Sequence, residues 1–173
     1  MDWQNVWIII AIALRCPVVA PKFVNEWAKC QSQDPSFATF ELCNWTRSPQ
    51  NLPALSFHIN LLQLPITSIK LQAQAMYIYR LRPVQLVNTT WDLCRILKNP
   101  KRHFAFARLY SVFGPHLNIN HSCPYNHDLI GSNIDFDRSE MPFPVPVGKY
   151  TFKASFNTNG GKQFEINAGM NII

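Results

Sequence analysis

The sequence predicts an all-β fold: two antiparallel sheets packed face to face, with one short helical insert around residues 90–113. Three observations predict it. Apolar side chains recur mostly with a period of two, the signature of strands with one buried face. Proline and glycine punctuate the chain at the lengths strands require. Only one region shows a helical period instead. With 47% apolar and 15% charged residues over 173 positions, the chain has enough apolar content to bury a core.

The elements follow in order. Residues 22–31 and 36–45 read as two strands around Asp34-Pro35. Leu55, Phe57, Ile59 and Leu61 alternate with Ser56, His58 and Asn60, and Leu64-Pro65-Ile66-Thr67 then interrupts, because proline cannot donate to a sheet ladder. Ile69, Leu71, Ala73, Ala75, Tyr77 and Tyr79 alternate next. Thr90 stands where a cap would start a short helix ending near Lys98, before Asn99-Pro100. Phe106, Leu109, Tyr110 and Phe113 stand at i, i+3, i+4 and i+7, an amphipathic helical stripe stopped by Gly114-Pro115. That stripe reads as packing. Tyr150, Phe152, Ala154 and Phe156 form a strand, Asn159-Gly160-Gly161 a hairpin turn, and Phe164, Ile166, Ala168 and Met170 its partner.

The compartment is read from the N-terminus, the cysteines and the sequons. Residues 1–20 are expected to be a signal peptide, leaving residues 21–173 as one domain. Val6–Leu14 is apolar but too short for a bilayer, which needs about 20 residues. Val18 and Ala20 supply small residues before a cleavage site. The segment departs from the usual pattern in having no Lys or Arg ahead of the apolar run. Cys16 leaves with it. Cys30, Cys43, Cys94 and Cys123 remain, an even number suited to an oxidising compartment. Three pairings are open. The favoured one joins Cys30 to Cys43 across neighbouring strands and Cys94 to Cys123 around the helical excursion. Asn44-Trp45-Thr46, Asn88-Thr89-Thr90 and Asn120-His121-Ser122 fit the glycosylation acceptor, so Asn44, Asn88 and Asn120 are expected at the surface, in loops or at strand ends. The expected location is secreted and extracellular.

Function classes are narrowed by what the residues can do. The net charge is +6, with its densest cluster at Lys98, Lys101 and Arg102. That cluster reads first as a solvated helix flank and second as attraction to an anionic surface. His121-Ser122-Cys123-Pro124-Tyr125-Asn126-His127-Asp128 gathers nucleophile and metal-ligand types, but either use needs Cys123 as a free thiolate. A disulfide removes that option. His58 is placed on a polar, solvent-exposed face. Asp135, Asp137 and Glu140 are read as solvated loop acids rather than a glycosidase pair. Gly160-Gly161 opens onto a strand and not onto a phosphate-binding helix. No catalytic residue, metal ligand or cofactor is expected, and nucleic acid is not an expected partner.

Four motifs occur in one order: Leu64-Pro65-Ile66-Thr67, then Leu97-Lys98-Asn99-Pro100, then Asn120 to Asp128, then Pro142-Phe143-Pro144 with Gly148-Lys149-Tyr150. On these the chain resembles a large fly family of secreted proteins of unknown function, related to ML-type lipid-recognition domains and to the CheB chemosensory proteins. The Asn-His-Ser-Cys-Pro-Tyr stretch is the most specific part. Many members carry Thr where Ser122 stands, and the sequon survives that change. The resemblance implies an immunoglobulin-like β-sandwich, ML-like, with an apolar ligand between its sheets and no catalytic residues.

The expected function is therefore a secreted, non-catalytic binding protein that holds a lipid or hydrocarbon between two sheets, with a chemosensory cue as one such ligand and a membrane receptor as a further partner. Phe57, Ile59, Leu71, Ala73, Phe152, Ala154 and Phe156 are expected to line the cavity, with Ala73 and Ala154 leaving room. The alternative is an extracellular protein-interaction module with a solid core. A third reading, a hydrolase built on residues 121–128, requires Cys123 to be reactive.

Overall fold

The computed structural model describes residues 22–80, 82–136, 141, 145–158 and 161–173. The expected signal at residues 1–20, Pro142-Phe143-Pro144 and the Asn159-Gly160 turn lie outside the described residues, as do Asp137 and Glu140. The strands are β1 (Phe23–Ser32), β2 (Ala38–Arg47), β3 (Pro53–Leu61), β4 (Ile69–Tyr79), β5 (Arg82–Asp92), β6 (Leu129–Asp135), β7 (Gly148–Thr158) and β8 (Gly161–Ile172). Between β5 and β6 stand α1 (Leu93–Ile96) and α2 (Phe104–Phe113), with single 3-10 turns at Pro100–Arg102 and Gly114–His116.

Two antiparallel sheets form the sandwich. One has the order β1-β8-β7-β4-β5 and the other β2-β3-β6. The inward faces are those the alternation marks. Leu55, Phe57, Ile59 and Leu61 of β3 are buried, while Ser56, His58 and Asn60 are half-buried on the other face. Phe164, Ile166 and Ala168 of β8 are buried in the same cluster, while Met170 is buried in a second one with Phe23, Tyr150 and Ile172. The turn between β1 and β2 is built by Asp34, whose Oδ1 accepts from the Ser36 backbone N–H (3.0 Å) and hydroxyl (2.6 Å).

Four features differ from the sequence reading. β5 and β6 are strands the alternation does not mark. β5 is an edge strand, exposed over its first half and with Val87, Thr89 and Trp91 half-buried over its second, so polar Thr89 interrupts its apolar period, and Pro83 is tolerated at its start because an edge strand can spare one N–H. β6 contains Gly131, where a Cβ would stand 2.4 Å from Phe57 Cε1, and Asn133 at φ 50°. Both residues erase a strand signal. The helical insert is capped two residues later than Thr90. Asp92 caps α1 by accepting from the Arg95 N–H (3.0 Å), and Thr90 stays within β5. Asp135 is not a loop acid, since it ends β6 paired with Ala54.

The disulfides are Cys30–Cys43 and Cys94–Cys123. The first joins strands consecutive in sequence but in different sheets: β1 edges the five-stranded sheet and β2 the three-stranded one. It therefore clamps one edge of the sandwich, with the two Cα atoms 6.0 Å apart. The second closes the insert at its base. Ser122 Oγ donates to the Cys94 carbonyl (2.7 Å), and Tyr125 pairs with Ile66 through two backbone hydrogen bonds of 2.9 and 3.0 Å. Each disulfide removes roughly 3 kcal/mol of unfolded-chain freedom. Among the described residues no helix is long and apolar enough to cross a membrane.

Candidate functional site

The sandwich is solid at one level and hollow at the next. Ile59, Ile66, Ile69, Leu129 and Phe164 have at most 1% of their surface exposed and fill one end. Phe156 stacks on Phe164 there, with ring centroids 4.9 Å apart. Two residues along β4 and β7 the side chains become small. Ala73 stands directly opposite Ala154, and the next row along the sheet pairs Ala75 with Phe152 and Phe152 with Ala168. An alanine fills far less of a roughly 10 Å inter-sheet gap than the isoleucine or phenylalanine of the solid level. A cavity of about 310 Å³ results.

Its floor is the inner face of the five-stranded sheet: Leu71, Ala73 and Ala75 of β4, Phe152 and Ala154 of β7, and Ile166 and Ala168 of β8. Its roof is Leu55, Ile134 and Phe136 together with the inward stripe of α2: Phe106, Leu109, Tyr110 and Phe113. Trp91 closes one end by an edge contact with Phe106 at 5.5 Å. Leu86 and Val87 of β5 complete the wall, and Leu86, 47% exposed, marks where it meets solvent. A bulge in the β4–β5 pairing between Ala75 and Met76 brings both neighbours onto the wall.

The lining is apolar, and its polar groups are engaged. Tyr110 donates its hydroxyl to the Ile119 carbonyl (2.8 Å), and burial raises its pKa. Lys153 holds its ammonium 3.0 Å from Glu165 Oε2. Such a space can exclude water from an alkyl or aryl group.

Of the seven residues expected to line a cavity, Leu71, Ala73, Phe152 and Ala154 do so. Phe57, Ile59 and Phe156 lie outside its lining and are buried in the solid level. Sequence reasoning missed the roof. Its signal was present in the i, i+3, i+4, i+7 stripe of α2, which packs inward yet stops short of the floor.

The 121–128 stretch is a structural knot. Cys123 is oxidised to the disulfide with Cys94, so its sulfur is not a thiolate. Tyr125 is fully buried and donates to the His121 carbonyl. Its pKa is pushed up to about 12, first by burial and then by the charge Tyr110 would carry. His121 Nδ1 lies 2.7 Å from the Ser122 carbonyl and His127 Nδ1 2.7 Å from the Asp128 carbonyl. The two Nε2 atoms meet at 3.1 Å. His58 is not simply solvated. It is half-buried between Glu41 (3.2 Å) and Asp128 (3.0 Å). Asp128 also accepts from the Leu61 N–H (3.0 Å), and that bond, followed by the one from His58, lowers its pKa. Among the described residues no group of three or more His, Cys, Asp or Glu is placed to hold a metal ion.

Asn44, Asn88 and Asn120 are all exposed. Two of them differ from the expected placement. Asn44 lies within β2 and Asn88 within β5, where an edge strand can turn a side chain to solvent in mid-length.

Residues 74–152, a little under half of the chain, match the model of a family described as a protein of unknown function (DUF1091). The matched span runs from β4 through the insert and β6 into β7, and so takes in the helical roof but, of the floor, only Ala75 and Phe152. No curated protein matches the chain.

Proposed function

We propose that the protein is an extracellular, non-catalytic carrier that holds one small apolar ligand, a lipid or hydrocarbon, between its two sheets. The observation that carries this reading is the apolar cavity of about 310 Å³ under α2. It sits at the small end of the range typical of ligand pockets, roughly 300–1,000 Å³. Burying a methylene is worth about 0.8 kcal/mol, so a chain of about ten gains about 8 kcal/mol, near micromolar affinity before binding costs. Two disulfides suit an oxidising compartment, and the three exposed sequons suit secretion. The motif likeness to ML-type lipid-recognition domains and CheB chemosensory proteins points the same way, and makes a chemosensory cue and a membrane receptor the natural ligand and partner.

Native mass spectrometry of the secreted protein tests the reading. A ligand-sized mass increment that organic extraction removes is expected, together with uptake of a fluorescent fatty acid by the stripped protein. Ala154→Phe, which fills the floor, should abolish uptake while leaving the fold intact. A stripped protein that takes up no apolar probe overturns the carrier and leaves a protein-interaction module in its place.

A further inference from the structure

We propose that the outward face of the helical insert is a docking surface for an anionic lipid membrane, with Phe104 entering the headgroup layer. From Leu93 to His127 the chain has no Asp or Glu, yet it carries Arg95, Lys98, Lys101, Arg102 and Arg108. Asp92 is the only acid between residues 42 and 127. All five cations are exposed, and among the described residues none is held in an ion pair. A merely solvated flank intersperses both signs, and this one does not. The unopposed charge attracts an anionic surface over about a Debye length.

Phe104 adds a second, independent observation. It begins α2 and is 79% exposed, the most exposed large apolar side chain among the described residues. Phe104, Arg108 and Ser111 share the outward face at i, i+4 and i+7, opposite the stripe that roofs the cavity. An aromatic ring surrounded by cations on long aliphatic stems suits the headgroup boundary, where the ring sinks and the charges reach the phosphates. An acidic protein partner would use the charges but gain less from a lone ring. Leu109 and Phe113 lie on the same helix and face the cavity, so the docking face and the roof are two sides of one helix.

Docking does not require a loaded cavity, so its test is independent of ligand uptake. The ligand-stripped protein should float with vesicles of equal parts phosphatidylcholine and phosphatidylserine, and not with phosphatidylcholine alone. Raising salt to about 1 M, where screening falls to about 3 Å, should release it. The K98Q/K101Q/R102Q variant should bind roughly a hundredfold more weakly, at roughly fivefold per cation. F104S should weaken binding with an unchanged circular dichroism spectrum. K22Q/K29Q/K149Q, which removes as many exposed cations from β1 and β7 and their ends, should bind as the wild type does. Equal binding to neutral vesicles, absence of binding to either kind, or equal loss in the two triple variants overturns the proposal.

Discussion

The two edges of the sandwich are built in opposite ways. At the β1/β2 edge a disulfide joins the sheets directly, and the strands close to within bonding distance. At the β5/β6 edge no bond joins the two strands. The chain leaves one sheet at Asp92, runs through the insert and returns to the other at Leu129, so α2 spans the gap. Clamping favours a dry, filled interior. Spanning with a helix lets the roof stand away from the floor. The comparison teaches that a hollow need not weaken the whole domain when the opposite edge is held covalently.

Substitutions should expose the asymmetry. Phe57→Ala, in the solid level, removes a buried ring and should cost about 3–5 kcal/mol in denaturant unfolding. Replacing the Cys30–Cys43 pair by Ala should cost roughly 3 kcal/mol and raise the m-value as the unfolded chain expands. If that pair proves dispensable, the clamp is not what holds the sheets. Ala73→Leu should cost less than about 1.5 kcal/mol, since its side chain enters existing space, whereas Ala38→Leu, fully buried beside the filled level, should cost about 1–3 kcal/mol. Equal costs would mean that the space closes on its own. The smallest effect belongs to Asp128. Its folded pKa lies below the unfolded value of about 3.9, so it favours the fold above that pH and the contribution fades as pH falls through the folded value. The stability difference between wild type and Asp128→Asn should therefore be present at neutral pH and vanish in strong acid. A difference that grows on acidification would mean the sign is wrong.

Alternation was enough to read β3, β4, β7 and β8, because each carries apolar side chains on its inward face and mostly polar ones on the other. It was blind to β5, where the half-buried positions are Val87, Thr89 and Trp91 and the polar Thr89 breaks the apolar run, and to β6, where Gly131 is demanded by the Phe57 ring. The same logic limits the site. A period of two tells which face a residue is on, not at which level along the strand the interior is empty. Ala73 and Phe57 carry the same inward signature, and only the side chain opposite decides that one meets space and the other a neighbour. The roof escaped for a different reason, since an amphipathic helix looks the same in sequence whether it touches the sheet or bridges above it.

The closed base of the insert has a consequence for variation. Its ends are tied at Cys94 and Cys123, with Cα atoms 4.9 Å apart, so the frame meets the intervening segment as a loop of fixed footprint. Asn118, which exchanges hydrogen bonds with Ile130 and donates to the Asp128 carbonyl, ties the segment to β6, so the residues ahead of it, from Arg95 to Phe113, are the ones free to change in charge or bulk. The shape of the roof and the charge of the outward face can thus vary together, by changes within one segment, while the sheets keep their frame.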